Sequence, residues 1–161
     1  MNLCERLSQA INQWVERLLF GLGFAMAMIV AVQVFFRYVL NHSLFWSEEL
    51  ARYLLVWLTF LGASVAYHRG AHPGIDFFYV KMPPTIKKAA RFLVHLTSLS
   101  LFGVMIFYGY RFTYFLRLQI TPALHLPKWI IFSIIPISGL ILMIHALTFL
   151  GKEFKGPARG S

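Results

Sequence analysis

Residues 18–36 read LLFGLGFAMAMIVAVQVFF, an uncharged apolar run closed by Arg37 and the turn Asn41-His42-Ser43. Its length is what a helix rising 1.5 Å per residue needs to cross about 30 Å of hydrocarbon. Three more apolar runs follow: Leu50 to Tyr67, Phe92 to Phe115 with Arg111 near its end, and Trp129 to Leu150. None alternates with the period of two that a barrel strand would need. The composition agrees. Of 161 residues, 58% are hydrophobic, 17% aromatic and only 13% charged, with a mean hydropathy of +0.66. A soluble domain carries about 25% charged residues. The expected fold class is an all-α integral membrane protein with four transmembrane helices, spans falling at about 18–38, 48–68, 90–116 and 128–150 of a single membrane domain, 1–155.

The net charge of +9 reports orientation. Arg6, Arg17, Arg69, Lys81, Lys87, Lys88, Arg91, Lys152, Lys155 and Arg159 fall on one side of the four spans; Arg37, Arg52, Arg111, Arg117 and Lys128 fall on the other. The positive-inside rule then places both termini in the cytoplasm. No basic stripe with an aromatic platform can be drawn, so nucleic acid is not an expected partner. The single cysteine, Cys4, cannot form an intrachain disulfide.

Two shorter segments flank the spans. Leu3, Leu7, Ile11, Trp14 and Leu18 recur at three- and four-residue steps among polar residues, which predicts an amphipathic interfacial helix over about 3–16. The alternative is that this segment continues the first span inward. Between spans two and three, Pro83-Pro84 break the chain, and Thr85 is the expected N-cap of the next helix. Residues 156–161 read as a flexible tail or an expression scar.

Small residues at four-residue steps let helix backbones approach in lipid. Gly23, Ala27 and Ala31 in span one, and Gly62 and Ala66 in span two, are the expected packing stripes. The densest polar cluster joins these spans: Arg37, Asn41, Ser43, Trp46, Ser47, Glu48, Glu49 and Arg52. Ser47 is the expected N-cap, and Glu48 and Arg52 stand at the favourable i, i+4 spacing. Charges at a membrane edge are costly unless paired. Arg37 is therefore expected to meet Glu49 or Glu48, and the cluster reads as a structural clamp rather than an ion relay.

Histidines offer two other chemistries. His68 and His72 have the spacing of a helical metal pair, but Gly70 and Pro73 interrupt the helix and no third ligand follows, so no metal is expected. His95 and His145 lie at similar depth in spans three and four, which opens the alternative of a small b-type cytochrome holding haem between them. A free-standing four-helix membrane adaptor is a further alternative. No phosphate-binding loop, nucleophile elbow or zinc-protease motif is present in the sequence, so neither catalytic residues nor cofactors are expected.

The stretch from Phe36 reads F-R-Y-V-L-N-x4-W-S-E-E-L-A-R-Y-L-L-V-W-L-T-F-L-G-A-S-x-A, then H-R-G-A-H-P-G-I-D to Asp76. It resembles the small membrane subunit (Q, or DctQ-type) of tripartite ATP-independent periplasmic (TRAP) transporters. The resemblance implies a multi-pass protein of the bacterial inner membrane with two protein partners. One is a large membrane subunit that carries the substrate and sodium sites and moves as an elevator. The other is a periplasmic substrate-binding protein delivering an organic acid such as sialic acid, a dicarboxylate or a keto acid. The small subunit is then a non-catalytic scaffold that shares phospholipid at its interface with the large one. Arg37, Asn41, Trp46, Glu48, Glu49, Arg52, His72 and Asp76 match the family's polar motif, and the resemblance implies a structural or subunit-contact role for them. A reporter fused to the C-terminus is expected to be accessible only from the cytoplasm; labelling from the periplasmic side of intact cells would reverse the topology.

Overall fold

The computed structural model describes residues 3–69 and 84–154. Helix α1 covers Leu3–Tyr38, α2 Phe45–His68 and α3 Pro84–Phe115; a 3-10 turn at Leu116–Leu118 and an irregular loop lead to a short α4, Lys128–Phe132, and then α5, Ile134–Phe154. Four stretches are long and apolar enough to cross a membrane: Arg6–Tyr38, Phe45–His68, Leu93–Leu118 and Lys128–Gly151, the last combining α4 and most of α5. Helix α5 is the centre of the bundle and packs against α3, α2 and α1. Over its most apolar 18 residues the fourth stretch is 39% buried, against 0% for the corresponding 18 residues of α1. The outward faces carry Phe20, Phe24, Leu55, Tyr108 and Leu118 exposed, as side chains that face lipid should be.

The N-terminal segment differs from expectation. Helix α1 runs 36 residues without interruption, so residues 3–16 and the first span form one rod rather than two helices. Nothing between Trp14 and Leu18 breaks a helix, and tertiary contacts hold the segment in line. Its amphipathicity is also turned round. Leu7, Trp14 and Leu18 point outward, while Ser8, Asn12 and Val15 are buried against the bundle. Val15 joins Leu61, Val65 and Ile134 in one core cluster; Tyr67, Phe102, Leu142 and Ala146 form the other. In the second, the Tyr67 and Phe102 rings meet edge to face at 5.2 Å, a geometry that adds to their burial. Pro84 takes the first helical position of α3, where its missing N–H costs nothing, so Thr85 lies inside the helix rather than capping it.

Among the described residues, the glycines with least room for a side chain lie between α3 and α5, not in the expected small-residue stripes. A Cβ built on Gly109 would stand 2.9 Å from Ile135 Cγ2 and 3.2 Å from Pro136, and one on Gly139 would stand 3.1 Å from Ile106 Cγ1. At Gly23 the nearest atom is Leu58 Cδ2 at 3.9 Å, and Gly62 has nothing within 4 Å. Ala27, Ala31 and Ala66 are exposed. Larger side chains, Leu19 and Leu22 among them, occupy the seam between α1 and α2. Small residues permit close approach; they do not compel it.

The same α3–α5 seam accommodates a break in span four. Pro136 cannot donate to the carbonyl of Phe132, four residues earlier, and α4 ends there with a turn at Ser133. A freed carbonyl at membrane depth is costly. The Thr113 hydroxyl, one turn beyond Gly109, is shared between Gly109 O at 2.8 Å and Phe132 O at 3.3 Å. Gly109→Ala should therefore overpack the seam and lower the thermal midpoint in detergent by about 2–8 °C. Gly62→Ala should leave it within about 2 °C. Equal effects of the two would contradict this placement of the seam.

Candidate functional site

The motif between α1 and α2 builds a clasp at the hairpin end of the bundle. Asn41 terminates the first rod with φ of 50°, the left-handed region that Asn tolerates better than most residues. The His42 amide turns back to Phe36 O at 3.0 Å. Helix α2 starts at Phe45, so Ser47 lies within its first turn and is not the N-cap. Its hydroxyl, 1% exposed, donates instead to Leu44 O at 2.7 Å. Trp46 remains exposed.

The two adjacent glutamates have different partners. Glu48 pairs with Arg52 at 3.5 Å, as the i, i+4 spacing predicts, with both side chains about two-thirds exposed. That exposure makes the pair worth little to stability. Glu49 points into the protein. Its Oε1 accepts from the Tyr53 hydroxyl at 2.5 Å, and its Oε2 accepts from the backbone amides of Ala123 at 2.8 Å and Leu124 at 3.0 Å. Successive amides converging on one oxygen make an anion-binding concavity, here filled by the chain's own carboxylate.

The loop that supplies those amides is held in shape by its own bonds. Ile120 and Pro127 form an isolated antiparallel bridge. Thr121, 1% exposed, exchanges two bonds with Leu126: its amide donates to Leu126 O at 2.9 Å, and its hydroxyl accepts from the Leu126 amide at 2.9 Å. The Lys128 amide donates to Gln119 O at 2.8 Å. Just beyond, the Trp57 indole donates to Ile131 O at 3.0 Å and ties α2 to α4. Between the loop and α2 lies a shallow groove of about 370 Å³, flanked by Phe45, Arg52, Tyr53, Pro122 and Lys128.

Arg37 does not take the place expected of it. It is exposed and pairs with neither glutamate. Glu49 is already satisfied by Tyr53 and the loop, and Glu48 by Arg52. Arg37 instead sits in the last turn of α1, where a cation favours the helix dipole. His72 and Asp76 lie outside the described residues.

A second polar clasp, which the sequence reading did not anticipate, joins three helices at the opposite end. Ser8 Oγ on α1 lies 2.8 Å from His145 Nδ1 on α5, and both residues are nearly inaccessible. The His145 ring in turn lies 4.7 Å from that of His68 on α2. One turn along α1, the Asn12 amide donates to Glu16 Oε1 at 2.8 Å. The same oxygen accepts from Arg69 Nε and Nη2 at 3.2 and 2.9 Å. The sequence carries a signal for this set: Ser8, Asn12 and Glu16 repeat at four-residue steps on one face of a membrane helix. His145 is thus a packed contact between helices rather than an open haem ligand. Among the described residues, no group of three or more His, Cys, Asp and Glu is placed to hold a metal ion.

Residues 26–156 match the family described as "Tripartite ATP-independent periplasmic transporters, DctQ component". The chain is 30% identical over 105 residues to the sialic acid TRAP transporter small permease protein of Vibrio cholerae, a match covering 65% of this chain and 61% of that one. It is 32% identical over 139 residues to the ectoine TRAP transporter small permease protein of Halomonas elongata, covering 83% and 70%. It is also 29% identical over 145 residues to the sialic acid TRAP transporter permease protein of Haemophilus influenzae, covering 90% of this chain but only 23% of that longer one. With four spanning helices and a match over most of its length to transporter permeases, the chain is a multi-pass inner-membrane protein, and its match spans about three fifths of the length of two of the small permeases it resembles. It belongs to the DctQ family of TRAP transporter small membrane subunits.

Proposed function

We propose that the chain is the non-catalytic scaffold of a sodium-driven TRAP transporter for organic acids, packing against and stabilising the large elevator-type membrane subunit. The observation that carries this reading is the state of its carboxylates. Every acid whose side chain the structure describes is engaged: Glu16 by Arg69 and Asn12, Glu48 by Arg52, and Glu49 by Tyr53 and two loop amides. A coupling ion or a substrate needs polar groups free to bind it at membrane depth, and these acids are committed to holding helices and loop together.

The relatives support the same division of labour. In the Haemophilus permease the matching region occupies about a quarter of one longer chain, which suits a unit working beside a larger one. Relatives named for sialic acid and for ectoine share this small subunit type, so selectivity is assigned to the large subunit and to a periplasmic substrate-binding protein. Phospholipid fills the remaining contact between the two membrane subunits.

Copurification tests the assignment. The chain should carry a large, many-span membrane subunit with it through detergent, and substrate uptake into liposomes should need both. Uptake by this chain alone would refute the scaffold role. Glu49→Gln should lower the yield of complex, or the transport rate, by about fivefold or more, and substrate preference should stay the same. A changed preference would move the selectivity site onto this chain.

A further inference from the structure

Arg111 lies inside the third span rather than at its end. The span runs Leu93–Leu118, and Arg111 stands about 10 Å from Leu118 along the helix axis. Packing gives the same depth. Gly109 and Thr113, on either side of Arg111, meet Pro136 and Phe132 of the fourth span, whose own stretch begins further out at Lys128. A different arginine serves the headgroup level: Arg117, about 9 Å beyond Arg111, lies over the Tyr114 ring at 4.1 Å. Charged side chains within a span almost always face a bundle interior and pair with another charge. Arg111 does neither within this chain. It is exposed, its described contact is the Phe107 ring at 5.9 Å, and the described acids Glu16, Glu48 and Glu49 are engaged elsewhere.

The surroundings of Arg111 fit a helix. Val104, Tyr108, Arg111 and Phe115 follow at steps of four, three and four residues, so they form one stripe along α3, and all four are exposed. Beside the stripe lies a groove of about 570 Å³ walled by Met105 and Ile135. Anchors at this spacing are how one helix is read by another, and Tyr and Arg are side chains that concentrate binding energy at interfaces. We propose that this stripe is the docking face for a spanning helix of the large membrane subunit, and that a carboxylate on that helix pairs with Arg111. The proposal rests on the scaffold reading above and adds to it the face and the charge contact. A second copy of this chain suits the seat poorly. Copies in one membrane share an orientation, so a two-fold contact along the stripe would set Arg111 against Arg111 at one depth. A lipid phosphate belongs at the level of Arg117, further out.

Recovery of the assembled complex tests it. The unmodified chain should carry the large subunit through detergent. Arg111→Leu should lower the amount recovered about tenfold or more, and Arg111→Lys, which keeps the charge, should restore part of it. The isolated Arg111→Leu chain should melt within about 2 °C of the unmodified one, because the side chain it replaces is exposed. Equal recovery with leucine at this position would overturn the docking proposal and leave the scaffold reading standing. Failure of the unmodified chain to recover any large subunit would overturn both. A photo-crosslinker in place of Tyr108, with Arg111 left intact, gives a second readout in the membrane. It should capture a spanning segment of the large subunit that contains Asp or Glu. Capture of lipid alone, of a second copy of this chain, or of a segment without an acid would overturn the proposal.

Discussion

Hydrocarbon cannot hydrogen-bond a peptide group, and the arrangement of this protein follows from that constraint. Regular helix satisfies the backbone through most of the four spans; the difficulty lies where the helices stop or break. At the Pro136 break the free carbonyl of Phe132 is met by the Thr113 hydroxyl from the neighbouring helix. In the loop before α4, the Leu126 amide is met by Thr121, and the Ala123 and Leu124 amides by Glu49. Each side chain that does this comes from a different element or a different part of the loop. The same bonds that satisfy the backbone therefore fasten the elements to one another.

That gives the bundle a mechanical character. Both ends are joined by polar clasps, Glu49 with the loop at one and Ser8–His145 with Glu16–Arg69 at the other. Between them, α3 and α5 meet at glycines without room for a methyl group. Hydrogen bonds to a charged group are stronger than those between neutral ones, and the exposed Glu48–Arg52 pair contributes little. Rigidity concentrated at the two ends, with committed carboxylates, is what the proposed scaffold role requires. A carrier would need the opposite: groups held open for cargo and helices free to shift.

Much of this was legible in the sequence and some was not, for physical reasons. Span positions follow from apolar length, and the Glu48–Arg52 pair from helical spacing. The run from Phe36 to Asp76 carries the family resemblance in its residues alone. The partner of Glu49 was hidden because its targets are backbone amides, which every residue has, in a loop without periodicity. Arg37 was misassigned for the same reason, since pairing by opposite charge ignores amides as competitors. The N-terminal segment misled because an amphipathic pattern is normally read with water on the polar side. Here the polar side, Ser8 and Asn12, faces inward and bonds other helices. Gly109 carries a weak signal because no second glycine or alanine stands four positions from it on α3, whereas Gly23 belongs to a stripe its neighbours do not use.

The central claim is that the Glu49 carboxylate, rather than the loop's own sequence, holds the Ala123–Leu124 turn against α2. Hydrogen–deuterium exchange at those two amides measures it directly. In the unmodified chain they should be protected, and in Glu49→Ala they should exchange about fivefold or more faster, while the Thr121 amide, bonded to Leu126 O, changes less. Unaltered exchange at Ala123 and Leu124 would show that the loop stands without the carboxylate and would contradict the clasp.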